Sequence, residues 1–475
     1  MTDITVERPS VPMLTFLGGA GTVTGSRFLI DTPRARVLVD AGLFQGLKRL
    51  RLRNWERFPI DPSTIDAVVI THAHVDHVGY LPALTRGGFA GSAHATAGTI
   101  ALAGIVLPDS GHLQEEEAAY ANRKGFSKHH PALPLYTEAD ARRSLHRFEP
   151  HPFDSEREIA PGVHLTLRRA GHILGSSTAT IRLSDTGDTG DRRIVFSGDL
   201  GRPNHPILRP PEPVGRADIV VMESTYGNRL HDDTDAIDRF RDAIVRTAAR
   251  GGTVLIPAFA VDRTEVILFR LRQLVTTGAI PELPIYVDSP MALAALTVYR
   301  HAIDRGESEI VPELADIGDA FNAGQVTEVR DVEHSKSLAR IRTPSIIVSA
   351  SGMATGGRVI HHLNRLLPNH RNTVLLVGFQ APGTRGQLLA DGARQVKMLG
   401  RYVGVRAEIV EIGSFSVHAD QSELIDWLET ADQPPETVYL VHGEPDSARA
   451  LQALIDERDG WNAVVARDGE RVRLD

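Results

Sequence analysis

Short runs of branched and aromatic apolar residues, separated by Gly-rich and polar stretches, fill the first two hundred or so positions of the chain. MLTFLGG (13–19), RFLID (27–31), RVLVD (36–40) and AVVI (67–70) read as strands bounded by turn residues. Residues 97–123 and 138–148 read as helices, and strands return at VHLTLRRA (163–170), STATIRL (177–183) and RIVFSGD (193–199). The rhythm changes at ADIVVMES (217–224). From there to about 385, helices at 234–250, 262–276, 290–304 and 357–367 alternate with the buried strands TVLIPA, IYVDS, SIIVSAS and TVLLVGF. Such alternation predicts a parallel α/β layer with its own core. Residues 405–475 return to the first style, with strands AEIVEI, TVYLVHG and NAVVA and helices 420–430 and 446–458. An α/β domain inserted into a mixed α/β domain accounts for this order, with expected segments 1–223, 224–385 and 386–475.

Composition narrows the chemistry. At 475 residues the chain is too long for one simple core. It has no cysteine, which excludes disulfides, thiolate metal sites and cysteine nucleophiles. Any transition metal is therefore held by His, Asp and Glu, and 20 histidines supply the imidazole. The opening MTDITVERPS lacks the basic-then-apolar pattern of a secretory signal. No apolar run approaches the ~20 residues that span a bilayer. A cytoplasmic location and no membrane partner are the expectations. The formal net charge of −8 gives no overall basic footprint for nucleic acid. Two bound divalent cations would offset half of it, inside the site.

The strongest local signal is THAHVDHVG (71–79), directly after the buried strand AVVI. His72 and His74 alternate by two and suit one ion; Asp76 and His77 suit a second. A turn with solvated histidines would not need four candidate ligands within six residues. Three more sites place a ligand type just past or near a buried strand: His172 in AGHILGSS, Asp199 in VFSGDLG and His442 in VYLVHGE. Each alone is an ordinary turn or cap residue. Together the seven are enough for two ions with an open position between them. Imidazole and carboxylate suit Zn²⁺, and ligand type alone leaves Mn²⁺ and Fe²⁺ open. Between two ions ~3.5–4 Å apart a water becomes acidic enough to ionise near neutral pH. A carboxylate such as Asp199 can give one oxygen to each ion.

HxHxDH followed by GHxLGS, SGDLG and a C-terminal histidine resembles the metallo-β-lactamase superfamily. VLVDAGLFQG (37–46) is similar to its first motif. The resemblance implies an αββα sandwich, and implies that Asp40 orients the metal-binding loop rather than binding metal. The insertion narrows the family. ESTYGNR (223–229), VDSPMA (287–292), ASGMATGGR (350–358), GFQAPGTRGQLL (378–389) and SFSVHADQSEL (414–424) resemble, in order, the motifs of the β-CASP nucleases. That family includes the endonuclease subunit of the pre-mRNA cleavage machinery.

Carried over by residue, the resemblance makes Glu223 the acidic motif, His418 a proton donor to the leaving oxygen, and His442 the last ligand of the second metal. It implies two Zn²⁺ per chain and a metal-bridging hydroxide aligned by Asp76 that attacks phosphorus in single-stranded RNA. Ser351, Gly352 and Arg358 of the Gly-rich turn are expected to hold substrate phosphates. That turn differs from the Gly-Ser-Gln-Gly-Glu type of the family's bacterial 5′-exonuclease branch, so endonucleolytic cutting is the expectation. A small-molecule ester or lactone hydrolase, and an inactive scaffold of an RNA-processing complex, are the rival functions. Self-association and assembly into such a complex stay open.

Overall fold

The branched apolar runs form strands, with shifted ends, and pair into two seven-stranded sheets. The computed structural model describes residues 8–125, 127–184, 190–232, 234–378, 380, 383–458 and 460–474. The start of MTDITVERPS, and Phe379, Ala381 and Pro382 of GFQAPGTRGQLL, lie outside the described residues. Two units result. The first comprises Met1–His205, Arg209–Leu230 and His418–Asp475, the second Pro206–Leu208 and His231–Val417.

In the first unit, one sheet has the order Arg471–Arg473, Met13–Gly18, Arg27–Asp31, Arg36–Val39, Ala67–Val69, Ser92–Ala95, Phe148–Pro150. The other runs Ala463–Val465, Thr437–Val441, Ile219–Glu223, Arg192–Phe196, Ser177–Leu183, Val163–Arg169, Arg157–Ala160. Successive side chains point to opposite faces. Val37, Val39 and Val69 therefore share one core with Ile181, Phe196 and Val221 of the second sheet, and the Phe28 and Phe196 rings lie 5.8 Å apart. Leu38 and Val68 face the other way and are equally buried, on the side flanked by helix Ala97–Lys124. Val195, Val220 and Leu440 of the second sheet pack outward on helices Gln421–Leu428 and Pro445–Asp456. The result is the helix–sheet–sheet–helix sandwich.

Within each sheet the central strands are parallel: Arg36–Val39 with Ala67–Val69, and Ile219–Glu223 with both Arg192–Phe196 and Thr437–Val441. Parallel neighbours end on the same edge of their sheet. Asp40, His72, Asp199, Glu223 and His442 all lie at or just beyond such ends.

The second unit holds a six-stranded, wholly parallel sheet. Its order is Val326–Glu328, Ile285–Val287, Ser345–Ser349, Thr253–Pro257, Thr373–Leu376, Glu408–Glu411. A hairpin, Gln395–Met398 with Arg401–Gly404, stands apart from that sheet. The unit continues past the expected boundary at 385. AEIVEI, read as part of the first style, pairs instead in parallel with Thr373–Leu376, joining Thr373 to Glu408 and Leu376 to Glu411. Its paired residues, Glu408–Glu411, are half-buried to exposed, as an edge strand's are, so the pattern carries little sign of which sheet it joins.

Glu265, on helix Arg263–Thr276, is fully buried, and neither carboxylate oxygen has a hydrogen-bond partner among the described residues. Burial, reinforced by the Asp262 carboxylate, holds its pKa well above the ordinary value of 4.5. Its contribution to stability is complete below that ordinary value and is lost as pH rises through the higher folded value. Glu265→Gln keeps the shape and removes the ionisation. It should raise the urea unfolding midpoint of this unit more at pH 8.5 than at pH 4.5; equal shifts at both would contradict the assignment.

Candidate metal centre

Asp40 begins the construction. It follows strand Arg36–Val39 in a left-handed conformation, φ 59°, and is fully buried. Its carboxylate accepts the Thr71 backbone N–H at 2.8 Å and the Thr71 hydroxyl at 2.9 Å, and lies 2.7 Å from His77 Nδ1. Thr71 gives its one hydroxyl proton to Asp40, so its oxygen accepts from His72 Nδ1, 3.1 Å away. Two tautomers follow. His72 and His77 each carry a proton on Nδ1 and turn Nε2 inward; that of His72 is bare, whereas His77, raised despite burial by Asp199 and Asp40, gives up an Nε2 proton when a metal binds there. The loop between them is tied down by its backbone: Ala41 N–H donates to His77 O, Leu43 N–H to Val75 O and Ser26 N–H to Asp76 O. Gly42 is required at this crossing, because a Cβ there would sit 1.7 Å from the Asp76 carbonyl oxygen.

Two nests of ligand atoms result. In one, His74 Nδ1 is 3.2 Å from both His72 Nε2 and His172 Nε2, and Asp199 Oδ2 is 3.5 Å from His72 Nε2 and 3.6 Å from His172 Nε2. In the other, His77 Nε2 is 3.3 Å from His442 Nε2, which is 3.5 Å from Asp76 Oδ2. Asp199 faces both: its Oδ1 is 3.2 Å from His77 Nε2 and 3.3 Å from His442 Nδ1. His172 is held by Ser176, whose hydroxyl accepts its backbone N–H at 2.9 Å. Gly175, at φ 80°, closes that turn against helix Ala97–Lys124, giving its carbonyl to the Thr96 and Thr99 hydroxyls.

The donor set fits transition-metal ions. Imidazole nitrogens 3.2 Å apart have no proton to share where both are bare. Tetrahedral ligands at the usual Zn–N length of ~2.0–2.1 Å stand ~3.3 Å from one another. Asp199 Oδ1 is buried without a hydrogen-bond partner. Asp40, Asp76, Asp199 and Glu223 find only histidines at ion-pair distance among the described residues. Burial holds His74 down to about 4, so it stays a neutral ligand. Burial likewise holds His72 well below its ordinary value. Burial opposes ionisation of Asp199, but His442, His77 and His72 outweigh it and hold its pKa well below the carboxylate range. Burial pulls His77 down too, and there Asp199 and Asp40 win and raise it.

His418 stands at the edge of this centre, with 17% of its side chain exposed. Backbone pairing places it: Gly201 bridges His418, and Ala419 N–H donates to Leu200 O at 2.8 Å, two links to the turn that follows Asp199. Its ring centroid is 4.4 Å from that of His172, and its Nδ1 is 3.4 Å from Glu223 Oε1 and 3.9 Å from Asp199 Oδ2. Glu223 is fully buried and accepts the Leu200 N–H at 2.6 Å.

Comparison with known proteins gives the family. The Metallo-beta-lactamase superfamily model matches residues 20–250, the Beta-Casp domain residues 264–389, and the Zn-dependent metallo-hydrolase RNA specificity domain residues 402–466. Ribonuclease TTHA0252 of Thermus thermophilus is 36% identical over 96% of this chain and 98% of its own length. This chain belongs to the β-CASP family of the metallo-β-lactamase superfamily. Another β-CASP relative, transcription termination factor FttA of Methanosarcina mazei, is 30% identical over 97% of this chain and 71% of its own length. A solved structure from Enterococcus faecalis V583, of a protein of unknown function, aligns over 98% of this chain and all of that one with a TM-score of 0.51. At 14% identity it shares the fold alone.

The seven ligand candidates, Asp40, Glu223 and His418 thus come together in the first unit. The substrate candidates lie in the second. There Arg358 has a structural task as well. Its guanidinium donates to the buried Asp288 at 2.7 Å and to the carbonyls of Val329 and Arg330, which holds the turn. The Ser351 hydroxyl is 2.9 Å from that of Thr355, and Gly352 is packed so tightly on Phe259 that a Cβ would lie 2.7 Å from the ring. Sequence reasoning missed Thr71 and Thr225. The Thr225 hydroxyl donates to His442 O at 3.1 Å and lies 3.2 Å from His442 Nδ1, so it accepts there and leaves Nε2 bare. The one sequence signal for either is its place beside a motif.

Removing Asp40 should loosen the metals without dissolving the fold. Groups that orient a ligand through a hydrogen bond are typically worth about 10–100-fold in metal affinity. Asp40→Ala should lose zinc to a competing chelator at correspondingly lower chelator concentration. Unchanged retention, with His77 free to rotate, would contradict the role drawn for it.

Proposed function

We propose that the chain is a metal-dependent ribonuclease that hydrolyses phosphodiester bonds within single-stranded RNA, using two Zn²⁺ per chain. One observation carries the reading: a half-open histidine, His418, stands beside Asp199, the carboxylate that faces both ligand nests. The match to an RNA specificity domain and a relative named a ribonuclease support RNA as substrate.

His72, His74 and His172 would hold one ion, and Asp76, His77 and His442 the other, with Asp199 between them. Bound there, the ions would supply charge neutralisation at the phosphate oxygens and an acidified water. The remaining work falls to the protein. Asp76, 21% exposed, accepts a hydrogen bond from the attacking water and aligns it with phosphorus. The water loses one proton to solvent as its oxygen bonds phosphorus, and the bond from phosphorus to the leaving ribose oxygen breaks. That oxygen takes its proton from His418. Glu223 Oε1, fixed by the Leu200 N–H, orients the His418 ring and stabilises its positive charge. An ester hydrolase has no need of His418 at this position.

His418→Ala should keep its metals and RNA affinity and lose about 10²–10⁴-fold in cleavage rate, the usual worth of a general acid. The assay is end-labelled single-stranded RNA with zinc-loaded protein. Internal fragments from the start of the reaction mark endonucleolytic cutting. A variant that cuts within about threefold of wild type would remove His418 from the chemistry.

A further inference from the structure

Residues 47–57, LKRLRLRNWER, hold Lys48, Arg49, Arg51, Arg53 and Arg57 against a single acid, Glu56, in a chain of formal net charge −8. Helix Lys48–Arg53 buries none of its residues and has no side-chain cap. Lys48 and Arg51 are three apart and Arg49 and Arg53 four apart, spacings at which like charges oppose a helix. Lys48, Arg49 and Arg51 have no ion-pair partner among the described residues. Of the three tryptophans, Trp427 is buried and Trp461 packs on a core, while Trp55 is 57% exposed; Leu52 beside it is 54% exposed.

Folding explains only the anchor of this segment. Buried Asn54 accepts the Phe44 N–H and the Arg27 guanidinium and donates to Phe44 O. Arg53 lies 4.0 Å from the Phe44 ring centre and pairs with Asp468 at 2.7 Å. Among the described residues Lys48, Arg49, Arg51 and Trp55 make no ion pair or ring contact, and Arg57 acts only weakly, on exposed Asp61. An exposed indole among unpaired cations is the composition of a single-strand platform, on which a base stacks while its flanking phosphates are neutralised.

We propose that residues 47–57 form an accessory docking surface for single-stranded RNA, with Trp55 stacking on a base and Lys48, Arg49, Arg51 and Arg57 binding phosphates. The proposal rests on the ribonuclease reading and extends it: the net charge hides a local basic surface. Eight residues separate Lys48 from Asp40, so the chain places the two within about 29 Å at most. A strand held here therefore has at most about 29 Å to span to the metal centre, which a ~20-nucleotide RNA covers, whereas a dinucleotide in the centre leaves the surface empty unless the two adjoin.

The test compares wild type with Lys48→Ala/Arg49→Ala/Arg51→Ala and with Trp55→Ala, using a ~20-nucleotide single-stranded RNA and a dinucleotide. Fluorescence anisotropy from ~50 to ~300 mM salt should give the triple variant a slope of log K against log salt shallower by about 2, at about 0.7 for each phosphate no longer neutralised. Trp55→Ala should weaken binding of the long RNA about tenfold, within the usual range for a stacked base, and Trp55→Phe should restore most of it. Dinucleotide hydrolysis and thermal unfolding should stay within about twofold and a few degrees of wild type. Wild-type affinity and slope in the triple variant would overturn the proposal. So would an equal loss on the long and short substrates, or a change in mass by light scattering with RNA affinity unchanged, which would make the surface an interface between copies of this chain. If wild type neither binds nor cuts RNA, the ribonuclease reading itself fails.

Discussion

Four carboxylates crowded where strands of both sheets end, with only histidines for company, set the terms for the first unit. Asp40, Asp199 and Glu223 are buried, Asp76 nearly so, and none meets Lys or Arg among the described residues. Burying uncompensated charge is costly, so such a cluster persists only where cations or firm hydrogen bonds answer it. Asp40 and Glu223 are answered by backbone N–H groups and hydroxyl or imidazole donors. One oxygen of each of Asp199 and Glu223 is left unpartnered, and Asp199 lies between two nests of imidazole nitrogens. Two divalent ions would carry four positive charges against the four carboxylates. Stability and reactivity thus draw on the same imbalance.

Sheet topology delivers the groups. Parallel strands in each sheet end on one edge, and the residues that follow them are freed from ladder pairing to form loops. A shared apolar core, Val39 and Val69 against Phe196 and Val221, holds the two sheets in register. Loop geometry then depends on small details, including the missing Cβ of Gly42 and the single proton of the Thr71 hydroxyl. Ligands as far apart in sequence as His77 and His442, separated by 365 positions, therefore meet within hydrogen-bond distance.

Much of this was legible in the chain. Four ligand types in six positions after a buried strand, as in THAHVDHVG, have few other uses. Asp199 and His442 gained meaning only in company, because a single polar residue after a strand is ordinary. Illegible features share a physical cause: they depend on partners distant in sequence. Nothing near Arg358 announces that Asp288, seventy positions earlier, takes up its charge. Glu408–Glu411 alternates weakly because an edge strand is half-exposed, and so its sheet could not be read from its pattern. Net charge misled in another way, averaging a local basic segment into an acidic whole.

Asp199 faces two separate ion sites rather than one, and the chemistry of the centre depends on that. Zinc titration of metal-free protein by calorimetry, with elemental analysis of the saturated product, tests that directly. Two nests, His72, His74, His172 and Asp199 against Asp76, His77 and His442, predict two tightly held Zn²⁺ per chain in wild type and one in a folded His442→Ala variant. A wild-type protein that saturates at one zinc while active, or a His442→Ala variant that still holds two, would contradict it.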